Sequence, residues 1–310
     1  MEKRFIDDDE ARIDYIKLIN VIFKYRKIIL IISSVFVALS LLLAISIPNK
    51  YTSETLLAPS NPSQSLSSVI GGYSALASLG MGLPTTGGDK SIEAIERIQS
   101  FNFFSNHFLP HIQLEDLLAA EGWDQDSNEL KYNPNDFNKE EKKWVREVEF
   151  PQTQIPSDQE AYEEYEDILT ISQDKTSQFV SISIEHLSPN IAKDWLDLII
   201  LEINESMRDE DKKLATNSIN FLNNSLKETN LTEMQEALAE LLQTQMEKLM
   251  LASANENYVF SEIESPIAPE ERSSPNRYVI LFIGSFFGFI VSILISLVLN
   301  YRKEIFNDEK

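Results

Sequence analysis

The chain has 310 residues, 49 acidic against 27 basic, a formal net charge of −22 and no cysteine. Such an excess of negative charge speaks against a nucleic-acid-binding surface and against docking on anionic lipid headgroups. The missing cysteines exclude disulfides, thiol chemistry and cysteine-ligated metals.

Residues 1–27 begin acidic and continue as an amphipathic pattern. Ile13, Ile16, Ile19 and Phe23 recur at helical spacing, and Lys24, Arg26 and Lys27 stand at the end. Residues 28–48 form an uncharged apolar run closed by Pro48, and residues 278–299 form a second. At 1.5 Å per residue, about 20 residues match the ~30 Å hydrocarbon core of a bilayer. Both runs are predicted to be transmembrane helices. The basic cluster before the first, with only Lys50 close behind it, predicts a cytoplasmic N-terminus. Two spans then return residues 300–310 to the cytoplasm and leave residues 49–277 outside it. That segment holds 17 basic and 40 acidic residues.

Residues 51–59, YTSETLLAP, alternate like a strand. Residues 60–88 are rich in Ser and Gly, and read either as a mobile loop or as a segment lying against a partner or a membrane surface. Residues 89–107 are predicted helical, with Asp89 as cap and Ile92, Ile95 and Ile98 on one face. Residues 111–150 are acidic and irregular, with Trp123, Trp144 and a turn at Asn133-Pro134-Asn135. A capping box, Ser157-x-x-Glu160, opens a short helix to about Tyr165. A hairpin follows, turning at residues 173–176, with Val180, Ile182 and Ile184 on one face of its second strand.

Ser188-Pro189 opens the longest helix, predicted to reach about Lys227. Residues 195–203 are apolar on most sides and must be buried. Residues 208–213, RDEDKK, must be solvated, and Ala215, Ile219, Leu222 and Leu226 then resume a narrow stripe. A second capping box, Thr232-x-x-Gln235, starts the partner helix, with Leu231, Met234, Leu238 and Leu241 as one stripe and Leu242, Met246 and Leu249 beside it. The two form an αα-hairpin with its tip at Thr229-Asn230. The expected helix seam is Leu222, Leu226, Leu238 and Leu241. Residues 257–265 alternate again and rejoin the sheet. Pro266, Pro269 and Pro275 stiffen the connection into the second span.

No catalytic constellation emerges, so the chain is expected to be non-enzymatic and to need no cofactor. His107 and His111 are four apart, but Pro110 between them ends the helix, and no metal site is expected. His186 ends a strand with no nucleophile pattern nearby. Gly284 and Gly288 form a G-x-x-x-G strip in the second span, fit for close packing against the first span or against a neighbouring chain. About 11 residues remain after the second span, too few for an output domain, which disfavours a membrane-anchored periplasmic sensor.

The order of parts resembles the Wzz-type chain-length determinants, or polysaccharide co-polymerases. The markers are the strand YTSETLLAP after the first span and Pro266, Pro269, Pro275 with Asn276-Arg277 before the second. DKSIEAIERIQS and QTQMEKLMLASANENYVF add to them. The resemblance implies an α+β periplasmic domain with a protruding long-helix hairpin, anchored in the bacterial inner membrane by two spans. Its α/β base is residues 49–188 and 255–265, its long helices residues 189–254 and its Pro-rich connector residues 266–277. It further implies a homo-oligomer that acts with a Wzy-type polymerase on lipid-linked polysaccharide to set the chain length of O-antigen or a related polymer. No catalytic residues carry over. An export co-polymerase served by a separate tyrosine kinase chain stays open as the alternative.

Overall fold

The computed structural model describes residues 21–60, 90–229 and 231–308. In chain order its principal elements are α1 (Arg26–Ser46), β1 (Tyr51–Pro59), α2 (Lys90–Ile98), α3 (Leu114–Leu118), β2 (Ala120–Asp124), β3 (Glu129–Tyr132), β4 (Phe137–Asn138), β5 (Lys143–Trp144), α4 (Asp158–Ile168), β6 (Leu169–Gln173), β7 (Val180–His186), α5 (Pro189–Glu228), α6 (Thr232–Ala254), β8 (Phe260–Glu264) and α7 (Arg277–Asp308). They form two compact units. One comprises Met1–Pro48 with Ser274–Lys310, and the other Asn49–Ser273.

In the first unit, α1 and α7 are both long and apolar enough to cross a membrane. Pro48 explains where α1 stops: the residue before a proline is pushed out of the helical region, and Ile47 is extended at φ −76°, ψ 126°. The two helices pack side by side. Ser33 Oγ meets Ser292 Oγ at 3.4 Å, Phe36 and Phe287 lie 6.4 Å apart, and Lys24 Nζ donates to Asn300 Oδ1 at 2.9 Å. Most of the expected N-terminal amphipathic helix falls outside the described residues. Of its stripe only Phe23 is described, and it is exposed.

The second unit is built on an antiparallel sheet in the order β6-β7-β1-β8. The alternation read in YTSETLLAP and in residues 180–186 is the register itself: Thr55 pairs with Ile182 and Leu57 with Val180. Val180, Ile182 and Ile184 point to the core while Ser181 and Ser183 do not. Helix α5 lies across the sheet on Trp195, Leu196, Ile199, Ile200 and Ile203, all buried with Leu57, Phe104, Phe108, Tyr165 and Phe260. Burying each of those large side chains favours the fold by roughly 1.5–3 kcal/mol.

Polar groups fasten this core. Asn204, buried on α5, accepts from Val259 N and Phe260 N at 2.8 and 3.0 Å and donates to Phe260 O at 3.2 Å. The Tyr165 hydroxyl donates to Ile98 O at 2.9 Å. The Ser157–Glu160 capping box forms as expected, and α4 continues past Tyr165 to Ile168. Arg146 reaches Glu160 at 2.5 Å and carbonyls of Thr153 and Gln154, pinning the preceding loop to α4. That ion pair is the main reason the Glu160 carboxyl is held below the usual range.

Several expectations need correction. The 89–107 helix is two pieces, because Ser100 breaks it and caps a new turn by accepting from Phe103 N. Of the expected face, Ile98 is buried and Ile95 is half-buried against the core, but Ile92 is 52 % exposed, and Ser91 and Ala94 complete the buried face. Residues 111–150 are less irregular than expected: they hold α3 and two small hairpins, β2–β3 and β4–β5. The expected turn at Asn133 does form, with Asn133 Oδ1 accepting from Asn135 N at 3.0 Å. Tyr258, Val259 and Phe260 are buried in succession and Glu262, Ile263 and Glu264 are all exposed, so this stretch does not follow simple alternation. Asp89, Asn230 and the Ser/Gly-rich residues 61–88 lie outside the described residues.

Candidate functional site

Helices α5 and α6 form the predicted hairpin. Thr229 closes α5, its hydroxyl donating to Ser225 O at 2.8 Å. The second capping box does not form. Thr232 is the first helical residue and Leu231 the cap, with no side-chain bond at that position, while Gln235 turns back to donate to Thr229 O at 2.7 Å. The one-residue offset has a plain cause: a cap must sit outside the helix, and Thr232 is inside it.

The seam between the helices uses Ala215 and Leu222, both buried, with Ile219 and Leu226 half-buried. Across from them, Leu238, Leu242, Gln245 and Leu249 are half-buried and Ala252 is buried. These positions run at spacings of 4, 3, 4 and 3, which is the heptad stripe of a packed helix pair. Leu241 is therefore not in this seam; it is 53 % exposed. Two neighbouring stripes were available on α6, and the way the helices cross selects the one through Leu242.

Leu241 belongs to the flank of the hairpin. With Asn217, Ser218, Phe221, Leu222 and Gln245 it lines an open groove of about 400 Å³. Phe221 is 69 % exposed there. Leu214 lies seven residues before Phe221, and Met234 seven before Leu241, and both are exposed. A seven-residue step returns to nearly the same helix face. The hairpin thus carries an inner seam and a second, uncovered apolar stripe.

Below the hairpin, the region expected to be bare is tied down. Asp211 Oδ2 accepts from Lys90 Nζ at 2.6 Å and from the Tyr258 hydroxyl at 2.5 Å. Arg97 pairs with Glu210. The spacing of RDEDKK hides this, because charges on a helix are read as solvated until a partner from elsewhere in the chain is placed. Burial alone would raise the Asp211 carboxyl, but the bonds from Lys90 and Tyr258 outweigh it and hold the group below the usual range. Burial first, and then Asp211, push the Tyr258 hydroxyl up.

The connector is fixed to β1. Ser53 Oγ donates to Ile267 O at 2.9 Å and Thr55 Oγ1 to Glu264 O at 2.6 Å. Ser273 N donates to Lys50 O at 2.9 Å, and Thr52 Oγ1 to Ser273 Oγ at 2.7 Å. Of the three prolines, Pro266 is buried while Pro269 and Pro275 are half-buried. In the first unit, the glycine strip faces α1. A Cβ on Gly284 would lie 1.6 Å from Ser40 Oγ, and one on Gly288 would lie 2.4 Å from Phe36 Cβ.

His186 is buried beside Trp195, with ring centroids 4.7 Å apart. Ser188 N donates to its Nδ1 at 3.0 Å, so Nδ1 is the acceptor and the proton sits on Nε2, which meets Asp116 O at 3.1 Å. That is a structural, neutral histidine.

Residues 11–105 match the family model of the chain length determinant protein, Wzz. The resemblance stated from the sequence is thus shown over those residues. No curated protein matches the chain. Among solved structures it is similar to a full-length bacterial polysaccharide co-polymerase, at 15 % identity and a TM-score of 0.41 over 93 % of this chain and 98 % of that one. It is also similar to a fragment of WzzB, a polysaccharide co-polymerase from Salmonella Typhimurium, at 15 % identity and a TM-score of 0.30, over 73 % of this chain and the whole of that one.

Proposed function

We propose that the protein is an inner-membrane regulator of polysaccharide chain length, for O-antigen or a related surface polymer, acting as a homo-oligomer with a Wzy-type polymerase on lipid-linked polysaccharide. The observation that carries this reading is the family match over residues 11–105, in a chain whose two apolar helices flank an α+β unit. In this reading residues 49–277 are periplasmic, both termini are cytoplasmic, and the protein binds and organises rather than catalyses.

Two features support the reading, one for assembly and one for coupling between the connector and the sheet. The uncovered stripe Leu214, Phe221, Met234 and Leu241 offers an apolar face at helical repeat, the kind of surface that a neighbouring copy covers. The connector is hydrogen-bonded along β1, so a displacement of residues 266–273 is passed to the sheet rather than absorbed.

The test is a deletion strain analysed by gel electrophoresis of its surface polysaccharide. The expected result is continued synthesis with an altered length distribution, restored by the gene in trans. Complete loss of polymer, or an unchanged ladder, overturns the proposal.

A further inference from the structure

One end of the second unit is where the chain enters and leaves it. Tyr51 opens β1 and comes three residues after Pro48, which closes the first apolar run. Three residues span at most about 11 Å. Ser273 N donates to Lys50 O, next to Tyr51, and α7 begins four residues after Ser273, at Arg277. Both covalent links to the apolar helices therefore leave from the Tyr51 end of the sheet. His186 pairs with Tyr51, so the passage from β7 into α5 lies at this end too.

An aromatic pair stands there. Trp123, on β2, meets the Tyr51 ring edge-on with centroids 5.4 Å apart, and both residues are half-buried. Trp123 Nε1 donates to Asn128 Oδ1 at 3.0 Å, and Asn190 Nδ2, in the first turn of α5, donates to the same oxygen at 2.8 Å. The β2–β3 hairpin is thereby fastened to the start of α5, and the indole is held in place. The charges around it come largely in pairs, unlike those of the acidic body as a whole. Lys50 meets Glu185 at 3.4 Å and Lys131 meets Asp124 at 3.0 Å, while Arg272 and Asp126 add one charge of each sign.

Trp and Tyr join an apolar ring to a polar tip, and both are enriched where hydrocarbon gives way to headgroups. That layer is about 5–8 Å thick on each side of the hydrocarbon core, within reach of a three-residue tether. Paired charges and neutral amides suit zwitterionic headgroups. Deeper entry would carry Asp126 into hydrocarbon, so the contact is shallow. We propose that Trp123 and Tyr51 seat this end of the second unit among zwitterionic lipid headgroups. The contact fixes the tilt of the sheet against the bilayer. It rests on the two-span reading of the chain and not on the chain-length role.

The test uses the full-length protein in phosphatidylcholine nanodiscs. The chain has no cysteine, so one introduced cysteine carries one fluorophore. Ser127→Cys labels the tip of the β2–β3 hairpin, and Lys175→Cys labels the β6–β7 turn, at the opposite end of the sheet from Tyr51. Lipid with a nitroxide on its headgroup is the quencher. The label at 127 should be quenched at least two-fold more strongly than the label at 175. Adding Trp123→Ala should bring quenching at 127 down to the value at 175, with an unchanged circular dichroism spectrum. Equal quenching at the two positions overturns the proposal. So does strong quenching at 127 that a folded Trp123→Ala variant retains, because the tether alone would then account for it. If Trp123→Ala fails to fold, the comparison of 127 with 175 decides alone.

Discussion

Asn204 satisfies both backbone groups of Phe260, receiving its N–H at 3.0 Å and donating to its carbonyl at 3.2 Å. A single side chain thereby joins the middle of the long helix to the edge strand β8, and it also takes the N–H of Val259. Everything it bonds is buried, so no water replaces it. Replacing Asn204 with Leu leaves those backbone groups unpaired. The expected loss is about 3 kcal/mol of stability, read from thermal or urea unfolding in detergent. A loss below 1 kcal/mol would show that the strand end finds other partners.

His186 predicts a pH dependence. Burial, the first cause, lowers its tendency to take up a proton, and the bond from Ser188 N to Nδ1 requires the neutral ring. The unfolded chain protonates this histidine near pH 6.5, while the folded chain does so only at lower pH. Between those two values the unfolded state holds the extra proton. Stability is therefore full above about pH 6.5 and falls as the pH drops through that window, by up to about 1.4 kcal/mol per pH unit. His186→Gln should flatten the slope of urea midpoint against pH in that range. An equal slope in both proteins would assign the acid sensitivity to other groups.

The hairpin has two stripes, and substitutions should separate them. Leu222 is buried in the inner seam, so Leu222→Ala should cost about 2–5 kcal/mol and loosen the hairpin. Phe221 and Leu241 are exposed on the flank, so Phe221→Ser with Leu241→Ser should leave stability within about 0.5 kcal/mol. If a second copy covers that flank, the double serine variant should give a smaller particle in detergent by light scattering. Retention of the wild-type particle size would remove the flank from the assembly surface.

Gly284 and Ser40 make a reciprocal pair across the two apolar helices. Gly284→Ala brings a methyl against Ser40 Oγ and Cβ, and should lower the amount of folded protein in the membrane. Ser40→Gly removes both of those atoms and leaves Ser40 Cα, 3.8 Å away, as the nearest neighbour. The double variant Gly284→Ala/Ser40→Gly should therefore recover normal levels, measured by immunoblot of membranes and by melting in detergent. Gly288→Ala meets Phe36 Cβ and should not be rescued by the same change at Ser40. Rescue of both glycine variants, or of neither, would place the glycine contact elsewhere.

Orientation has its own test. The cluster of Lys24, Arg26 and Lys27 predicts an active phosphatase fusion at Asn217 and an inactive one after Lys310. Phosphatase activity at the C-terminal fusion would reverse the proposed topology.

Whatever depends on neighbours along the chain could be read from the order of residues alone. Uncharged runs of bilayer length mark α1 and α7. Pro48 marks where α1 stops, Ser188-Pro189 where α5 begins, and Ser157 with Glu160 how α4 is capped. The period-two pattern of residues 180–186 names the buried face of β7 because a pleated strand has only two faces to choose from. Tertiary structure decided where a residue had more than one acceptable neighbour. On α6 the stripes through Leu241 and Leu242 were equally apolar, and only the crossing with α5 made one a seam and the other a flank. Asp211 looked like a solvated helix charge until Lys90 and Tyr258, distant in sequence, were folded onto it. Pro110 was expected to end the helix between His107 and His111, but the α-helical turn stops earlier, at Phe103, and a π turn and a 3-10 turn carry helical backbone through Pro110 and bring both histidines to Glu202. Local pattern fixes which face a side chain takes, but the partner on that face comes from long-range packing, which a one-dimensional spacing does not encode.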